Sequence, residues 1–227
     1  MPFEKLYMQV TKSKCRYNAV IFDLDGTIAN TFPTVLRIFN RIVSDRTGRQ
    51  LSFEEWQQYL GPPETTILRQ LFPDEAEQQS VIDDYFRMSS EDGDEIRAHP
   101  GIEALISSLH QAGVPLAVYS GANQRSATMR IGHTGLLKYF DVVLGGDEVE
   151  RHKPDPEGLF RLLDHFRVAP ESTIYIGDMV VDILAGKAAG MRTAAVTWGF
   201  NETEQLRAAA PDYLIEKTET LEAILFT

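Results

Sequence analysis

The chain has almost no cysteine and no long hydrophobic segment. Cys15 is the single cysteine among 227 residues, so an internal disulfide is excluded and a reducing cytoplasm is the expected location. The first twenty residues mix short apolar pieces with charged side chains, whereas a secretion signal or a membrane span needs an uninterrupted apolar stretch. We therefore expect a cytoplasmic protein with no membrane partner.

Basic residues are also scarce. The sequence contains 33 acidic residues against 22 Lys and Arg, which gives a formal net charge of −11. Nucleic acids and anionic membranes favour proteins with a basic face, so no nucleic-acid partner is expected. A phosphate substrate is not excluded, because one lysine and a bound metal ion can reverse the sign of the charge locally.

Six short apolar segments predict the strands of a parallel sheet. They are residues 18–22, 115–120, 141–144, 173–176, 193–197 and 213–215. Between them, apolar residues recur at helical spacing, as they do from Ile102 to Leu109. Strands that are apolar throughout and alternate with amphipathic helices indicate an α/β fold in which helices cover both faces of the sheet.

Residues 31–95 interrupt this alternation with helical patterns alone. Ser52 and Glu55 form the pattern of a capping box at the start of one short helix. Further helical stretches lie on both sides of it, separated by a Gly-Pro-Pro break. We predict an α-helical cap domain at 31–95, inserted into an α/β core that comprises residues 1–30 and 96–227.

Polar residues follow the predicted strands at the edge where such sheets bind their ligands, outside the carboxyl ends of the strands. These residues are Asp23, Asp25 and Thr27 after the first strand, Ser120 and Gly121 after the second, Lys153 beyond the third, and Asp178 and Asp182 after the fourth. A single residue of this kind is most often a helix cap or a turn residue. Caps have no reason to recur in this order at one edge, so the joint pattern predicts a site.

The composition of this predicted site points to a metal ion and to phosphoryl transfer. Carboxylates gathered at one edge repel one another, and a hard divalent cation with oxygen ligands removes the conflict. Mg²⁺ is the usual choice beside phosphate. An aspartate outside the metal's ligands can act as a nucleophile or as an acid and base, while a lysine and a hydroxyl donate to phosphoryl oxygens. The pattern indicates phosphoryl transfer through an aspartyl phosphate.

The residues that carry this chemistry resemble the motifs of the haloacid dehalogenase superfamily, in particular its phosphoglycolate-phosphatase-like branch with a helical cap. The matching motifs are Phe-Asp-Leu-Asp-Gly-Thr at 22–27, Ser120, Lys153 in Lys-Pro-Asp-Pro, and Gly-Asp-Met-Val-Val-Asp at 177–182. They occur in the family's order, and the resemblance extends from about residue 18 to about residue 225. It implies a Rossmann-like parallel sheet core with an inserted α-helical cap domain.

The resemblance also implies catalytic and metal-binding roles. Asp23 would be the nucleophile, and Asp25 would protonate the leaving oxygen and then activate the water that cleaves the aspartyl phosphate. Mg²⁺ would bind the Asp23 carboxylate, the Asp25 backbone carbonyl and Asp178. Asp182 would be a supporting acid that positions the lysine or the metal, and Thr27 would orient the nucleophile loop.

By the same resemblance, the phosphoryl oxygens would be held by Ser120 and Lys153. Backbone N–H groups around Leu24, Asp25 and Gly121 would complete the binding site for the transferred group. Many relatives carry Asn where this chain has Gly121. The glycine keeps the backbone donor and puts a side-chain contribution there in doubt.

The acid at position 25 indicates a phosphate ester or anhydride as the substrate, since family members that cleave carbon–halogen or phosphonate bonds lack it. The expected function is a Mg²⁺-dependent phosphatase of a small phosphorylated metabolite, with 2-phosphoglycolate as the leading substrate, working as a monomer or homodimer. The loop at 60–64 is expected to face the site, with Glu64 or Arg69 reaching the leaving group. A plain helix break is the alternative interpretation of this loop.

Other functions fit parts of the pattern. A phosphosugar mutase of the β-phosphoglucomutase type carries the same four motifs but needs a second phosphate clamp, for which residues 50–95 offer no clear candidate. Hydrolysis of pyrophosphate or of a nucleotide stays open. A signalling receiver module would be much shorter and would lack the helical insertion. A catalytically inactive binding module is expected to have lost at least one of the motif residues, all of which are present here.

Overall fold

The computed structural model describes residues 14–59 and 61–227 and is built on a six-stranded parallel sheet. The strands are β1 (Ala19–Phe22), β2 (Leu116–Tyr119), β3 (Val142–Leu144), β4 (Thr173–Gly177), β5 (Arg192–Val196) and β6 (Tyr213–Ile215). Their order is β3-β2-β1-β4-β5-β6, and every neighbouring pair is parallel. The chain thus winds outward from β1 in both directions, as in a Rossmann-like doubly wound sheet.

All six predicted strands form, with bounds that differ from the predicted ones by no more than one residue at either end. The central strands β1, β2 and β4 are buried along their whole length. Layers of helices cover both of their faces, which explains why their sequences are apolar without alternation. The predicted α/β class with a parallel sheet is confirmed.

The helices divide into an inserted set and a set that covers the sheet. They are α1 (Phe32–Thr47), α2 (Phe53–Gln57), α3 (Glu64–Leu71), α4 (Glu75–Glu91), α5 (Ile102–Gln111), α6 (Gln124–His133), α7 (Glu157–Phe166), α8 (Val180–Ala188), α9 (Thr203–Ala208) and α10 (Thr218–Leu225). The first four lie in the connection between β1 and β2, ahead of α5. None of the helices in the described ranges is long and apolar enough to span a membrane.

The two faces of the sheet carry separate hydrophobic clusters, because successive residues of a strand point to opposite sides. On one face, Val20 and Phe22 of β1 pack with α5, α6 and α10. On the other face, Ile21 packs with Leu159 and Leu162 of α7 and with residues of α8. The sheet is therefore the middle layer of three, and its loops leave at the two ends of the strands.

Helices α1–α4 form a cap with a hydrophobic cluster of its own. The ring of Phe39 on α1 lies 4.4 Å from that of Trp56 on α2 and 5.2 Å from that of Tyr85 on α4, measured between centroids. The predicted capping box at the start of α2 is present, with Ser52 and Glu55 each accepting from the other's backbone N–H. The inserted helical cap is thus observed, while the exact residues that divide it from the core stay a prediction.

We expect the substitution Leu105→Ala to lower the free energy of unfolding by about 2–5 kcal/mol, because it empties a site in the core. Leu105 on α5 is 1% exposed and belongs to the cluster on one face of the sheet. Leu184→Ala on α8 is the matched control, since that side chain is 43% exposed, and its effect should stay below about 1 kcal/mol. Denaturant titration measures both values, and equal losses would contradict the packing described above.

Candidate active site

The predicted site residues gather at one edge of the sheet. Asp23, Ser120 and Asp178 directly follow β1, β2 and β4, which are adjacent and parallel strands. Their side chains therefore leave the sheet at the same end. Lys153 reaches this edge from the long loop between β3 and α7, and Asp182 reaches it from the first turn of α8.

Three carboxylates converge at the centre of this edge. Asp23, Asp178 and Asp182 are buried, and each offers a carboxylate oxygen within 4.8 Å of those of the other two. Lys153 places its Nζ 2.7 Å from Asp23 Oδ1 and 2.7 Å from Asp182 Oδ1, and it also donates to the hydroxyl of Tyr175 at 3.0 Å. One ammonium thus faces three carboxylates, which leaves an excess of negative charge.

Asp178 is held by the turn after β1 and by the loop after β5. Thr27 donates its hydroxyl to Asp178 Oδ1 at 2.7 Å, and the Phe200 N–H donates to Oδ2 at 2.7 Å. Gly26 adopts a φ of 91°, and any side chain at this position would collide with the Asp178 carboxylate. The ring of Phe200 lies 4.6 Å from that of Phe32 at the start of α1, so the same loop also contacts the cap.

Burial and crowding change the acidity of the cluster. Burial, reinforced by the charge of Asp182, raises the pKa of Asp178 to about 7, although hydrogen bonds from Phe200 and Thr27 oppose the shift. Burial also raises the pKa of Asp23 well above its usual value, with neighbouring carboxylates adding to the rise and Lys153 opposing it. Burial alone would lower the pKa of Lys153, but Asp182 and Asp23 together hold it well above its ordinary value.

This set of donors fits a hard divalent cation. All three groups that converge are carboxylates, and oxygen ligands are those that Mg²⁺ prefers. Burial is the main cause of the raised pKa of Asp178, and the charge of Asp182 adds to it, so a cation beside these carboxylates would favour their ionised form. Asp23, Asp178 and Asp182 would hold the ion, whereas the carboxylate of Asp25 points elsewhere.

Asp25 is engaged by a different group of side chains. Its Oδ1 accepts from the Thr31 hydroxyl at 2.5 Å and from Nη1 of Arg130 at 2.9 Å, and its Oδ2 accepts from the Ser120 hydroxyl at 3.0 Å. Ser120 also accepts from the backbone N–H of Ala122 at 3.1 Å. The two acids of the first motif thus have separate surroundings, one beside the lysine and the other beside an arginine.

Arg130 on α6 lies at the site but is not among the residues predicted from the sequence. Its guanidinium is buried between Asp25, Glu64 and the hydroxyl of Tyr85. The signal that points to it is its spacing, because Arg130 follows Ala127 at the i+3 position of a buried helix face. A charged residue on such a face needs buried partners, and this one finds them at the site.

A cavity of about 410 Å³ lies between this edge of the sheet and the cap. Asp23, Asp25, Ser120 and Lys153 line its core side. The cap side is lined mostly by apolar residues, among them Phe32, Val35, Trp56, Tyr59 and Ile67. The cavity therefore has a polar side formed by the core and a largely apolar side formed by the cap.

The cap loop at 60–64, predicted to face the site, borders this cavity. Gly61, Pro62 and Glu64 line it, whereas Leu60 falls outside the described residues. Of the two side chains predicted to reach the leaving group, Glu64 lines the cavity, and Arg69 is exposed on α3 and does not line it. The loop is therefore part of the cavity wall.

Gly121 has a structural reason to be glycine. A Cβ at this position would lie 3.0 Å from the carbonyl oxygen of Gly61, which is tighter than most such contacts and would require the cap loop to shift slightly. The asparagine two residues later bridges to the cap instead, since Asn123 Oδ1 accepts from the Thr65 N–H at 3.0 Å. Its N–H donates to Glu64 Oε2 at 2.8 Å. The departure from the family's pattern thus coincides with a close approach of core and cap.

The raised pKa of Asp178 predicts how Mg²⁺ should affect stability at different pH. As the pH rises from about 4 to about 7, the unfolded chain loses this proton before the folded chain does, so the contribution of Asp178 to the stability of the metal-free protein falls across this range. Bound Mg²⁺ favours the ionised carboxylate and removes this penalty. We therefore expect Mg²⁺ to raise the melting temperature more at about pH 8 than at about pH 5.5.

Calorimetry with and without EDTA measures this difference, and Asp178→Asn is the control variant that should lose most of the response. Equal shifts at both pH values, or a full response in the variant, would contradict the assignment of the cluster as the metal site.

Known proteins are similar to this chain in sequence and in fold. The model of the haloacid dehalogenase-like hydrolase family matches residues 20–196. The pyrophosphatase PpaX of Listeria innocua is 32% identical over 211 residues, which cover 92% of this chain and 97% of that protein. PpaX of Anoxybacillus flavithermus is 30% identical over 209 residues, which cover 92% and 96%.

Solved structures with the same fold are also found. A predicted phosphoglycolate phosphatase from Haemophilus somnus has a TM-score of 0.82 at 21% identity, with 92% of this chain and 98% of that one covered. A predicted β-phosphoglucomutase from Thermotoga maritima has a TM-score of 0.71 at 28% identity, with 91% and 97% covered. The resemblance seen in the motifs is confirmed, and the chain belongs to the haloacid dehalogenase-like hydrolase family.

Proposed function

We propose that the protein is a Mg²⁺-dependent phosphatase that acts on a small phosphorylated metabolite through an aspartyl phosphate on Asp23. The observation that carries this proposal is the setting of the Asp23 carboxylate. It lies buried at the core side of the cavity, 2.7 Å from Lys153 Nζ and beside Asp178 and Asp182. A carboxylate next to a cationic donor and to metal-binding acids is suited to attack phosphorus.

The chain's own residues supply the nucleophile, the acid and base, and contacts to the phosphoryl oxygens. Asp23 forms a bond to phosphorus as the bond to the leaving oxygen breaks, and Asp25 gives that oxygen a proton. Asp25 then takes a proton from the water that attacks the aspartyl phosphate, which releases phosphate and regenerates Asp23. Lys153 and Ser120, with backbone N–H groups near Leu24 and Gly121, hold the phosphoryl oxygens. Mg²⁺ would neutralise charge on the transferred group when bound.

The charges around the cavity favour hydrolysis over phosphosugar transfer. Within the described ranges, the basic side chains that line the cavity are Arg130, His152 and Lys153, and all three belong to the core. Arg130 and Lys153 already face carboxylates. A mutase must hold a second phosphate of a bisphosphate, and among the described residues of the cap helices no cation lines this cavity for that purpose.

Two small substrates are the leading candidates. The resemblance to the phosphoglycolate-phosphatase-like branch supports 2-phosphoglycolate. Relatives that are 30–32% identical and carry the name pyrophosphatase support pyrophosphate as the second candidate. Both anions are small enough for a cavity of about 410 Å³. The apolar cap side does not by itself decide between them.

We also propose that the enzyme acts in the cytoplasm as a monomer or homodimer. A single cysteine supports a reducing location, and the net charge of −11 is unfavourable for binding nucleic acids or anionic membranes. The substrate is therefore expected to be a diffusible metabolite.

We expect Asp23→Asn to lower kcat by at least about 10³-fold, because the amide oxygen is a poor nucleophile and the aspartyl phosphate cannot form. Release of inorganic phosphate measures the rate. Asp164→Asn on α7 makes the same chemical change at an exposed position and should leave kcat unchanged. A thermal melt checks that both variants fold, and activity retained in Asp23→Asn would refute the assignment of the nucleophile.

A substrate panel tests the proposed reaction class. Phosphate release from 2-phosphoglycolate, pyrophosphate and nucleotides is measured with Mg²⁺ and with EDTA, and isomerisation of β-glucose 1-phosphate is followed in parallel. We expect Mg²⁺-dependent release from at least one substrate. Isomerisation without phosphate release would instead establish the mutase alternative.

A further inference from the structure

A single buried guanidinium joins Asp25 to two helices of the cap. Arg130 is 8% exposed and lies on α6 of the core. Its Nη1 donates to Asp25 Oδ1 at 2.9 Å, and its Nη2 donates to Glu64 Oε1 and to the Tyr85 hydroxyl, the latter at 2.8 Å. Glu64 begins α3 and Tyr85 lies in α4. One planar group therefore contacts a motif acid on one side and the cap on the other.

Burying Arg130 costs free energy, so its presence here calls for a reason other than stability. A charged side chain in a buried site pays a large desolvation penalty, and an apolar replacement of a buried ion pair is often no less stable. The planar fork of arginine, however, holds its partners in a defined orientation that a lysine does not reproduce. Arg130 thus constrains where the Asp25 carboxylate lies.

The orientation of Arg130 depends in turn on the cap. Glu64 accepts from Arg130 with Oε1 and from the Asn123 N–H with Oε2, at 2.8 Å for the second contact. Two of the three partners of the guanidinium, Glu64 and Tyr85, would move away together if the cap moved. The remaining partner is Asp25, whose carboxylate is otherwise held by Thr31 and Ser120.

We propose that Arg130 is a positioning residue that couples closure of the cap to the placement of Asp25. When the cap is closed, Glu64 and Tyr85 orient the guanidinium, and the guanidinium holds the Asp25 carboxylate where it faces the leaving oxygen. Displacing the cap releases this constraint. The inference rests on the proposed function, in which Asp25 protonates the leaving group.

The experiment compares two esters that differ in their need for a proton. The leaving group of 4-nitrophenyl phosphate departs readily without protonation, whereas that of 2-(4-nitrophenyl)ethyl phosphate is an alkoxide that needs an acid. A group that acts as general acid contributes about 10²- to 10⁴-fold to rate. A misplaced Asp25 should therefore reduce kcat/KM for the alkyl ester much more than for the aryl ester.

We expect Arg130→Lys and Glu64→Gln to lower kcat/KM for the alkyl ester about 10- to 100-fold more than for the aryl ester. Glu64→Gln leaves both Arg130 and Asp25 in place, so it decides the question if Arg130→Lys does not fold. A purely structural defect would lower kcat/KM for both esters by the same factor. A uniform rise of KM would show that Arg130 binds substrate phosphate instead. Either result would overturn the proposal.

Arg125→Lys is the matched control. Arg125 lies on the same helix and also contacts the cap, with its guanidinium 4.2 Å from the centre of the Phe86 ring, but it does not touch Asp25. The same substitution there should leave the ratio between the two esters unchanged. The same selective loss in this variant would mean that any weakening of the cap contact suffices, which would refute a special role for Arg130.

Asp25→Asn separates failure of this inference from failure of the proposed function. This variant should show the largest drop in kcat/KM for the alkyl ester relative to the aryl ester. If it does and the Arg130 and Glu64 variants do not, the coupling is wrong while the acid role stands. If Asp25→Asn shows no selectivity, Asp25 does not protonate the leaving group and the proposed function fails at that step.

Discussion

The site depends on the balance of buried charge where β1 and β4 end. Two parallel strands bring Asp23 and Asp178 to one point, and the first turn of α8 adds Asp182. Lys153, from the loop after β3, compensates part of their charge. Because burial makes each uncompensated charge expensive, the edge favours a divalent cation. A cation bound there would in turn attract an anionic phosphoryl group that the carboxylates alone would repel.

The cap contributes enclosure more than it contributes charge. Its aromatic cluster around Phe39 is separate from the clusters that flank the sheet, so the four helices are packed as a unit. Its contacts with the core include a small set of side chains, notably Glu64 with Arg130 and Asn123, and Phe32 with Phe200. A unit with its own core and limited polar contacts can move as one body.

The sequence predicts the sheet and most of the site because both follow a simple rule. Strands covered on two faces are apolar throughout, and the polar residues that follow them, such as Asp23 and Asp178, share one edge. Arg130 and Tyr175 escape this rule. Arg130 lies inside a helix, and Tyr175 lies inside β4, where an aromatic residue is expected in a core. The helical spacing of Arg130 indicates that it is buried, but the contacts of Arg130 with Asp25 and of Tyr175 with Lys153 depend on tertiary packing.

Phe200 makes one contact with its backbone and another with its side chain. Its backbone N–H donates to the carboxylate of Asp178, and its ring packs against Phe32 at the start of α1. Every amino acid except proline retains the amide, whereas only a bulky apolar one retains the ring contact. Paired exchanges at positions 32 and 200 can therefore change the wall of the cavity while the hydrogen bond to Asp178 is kept.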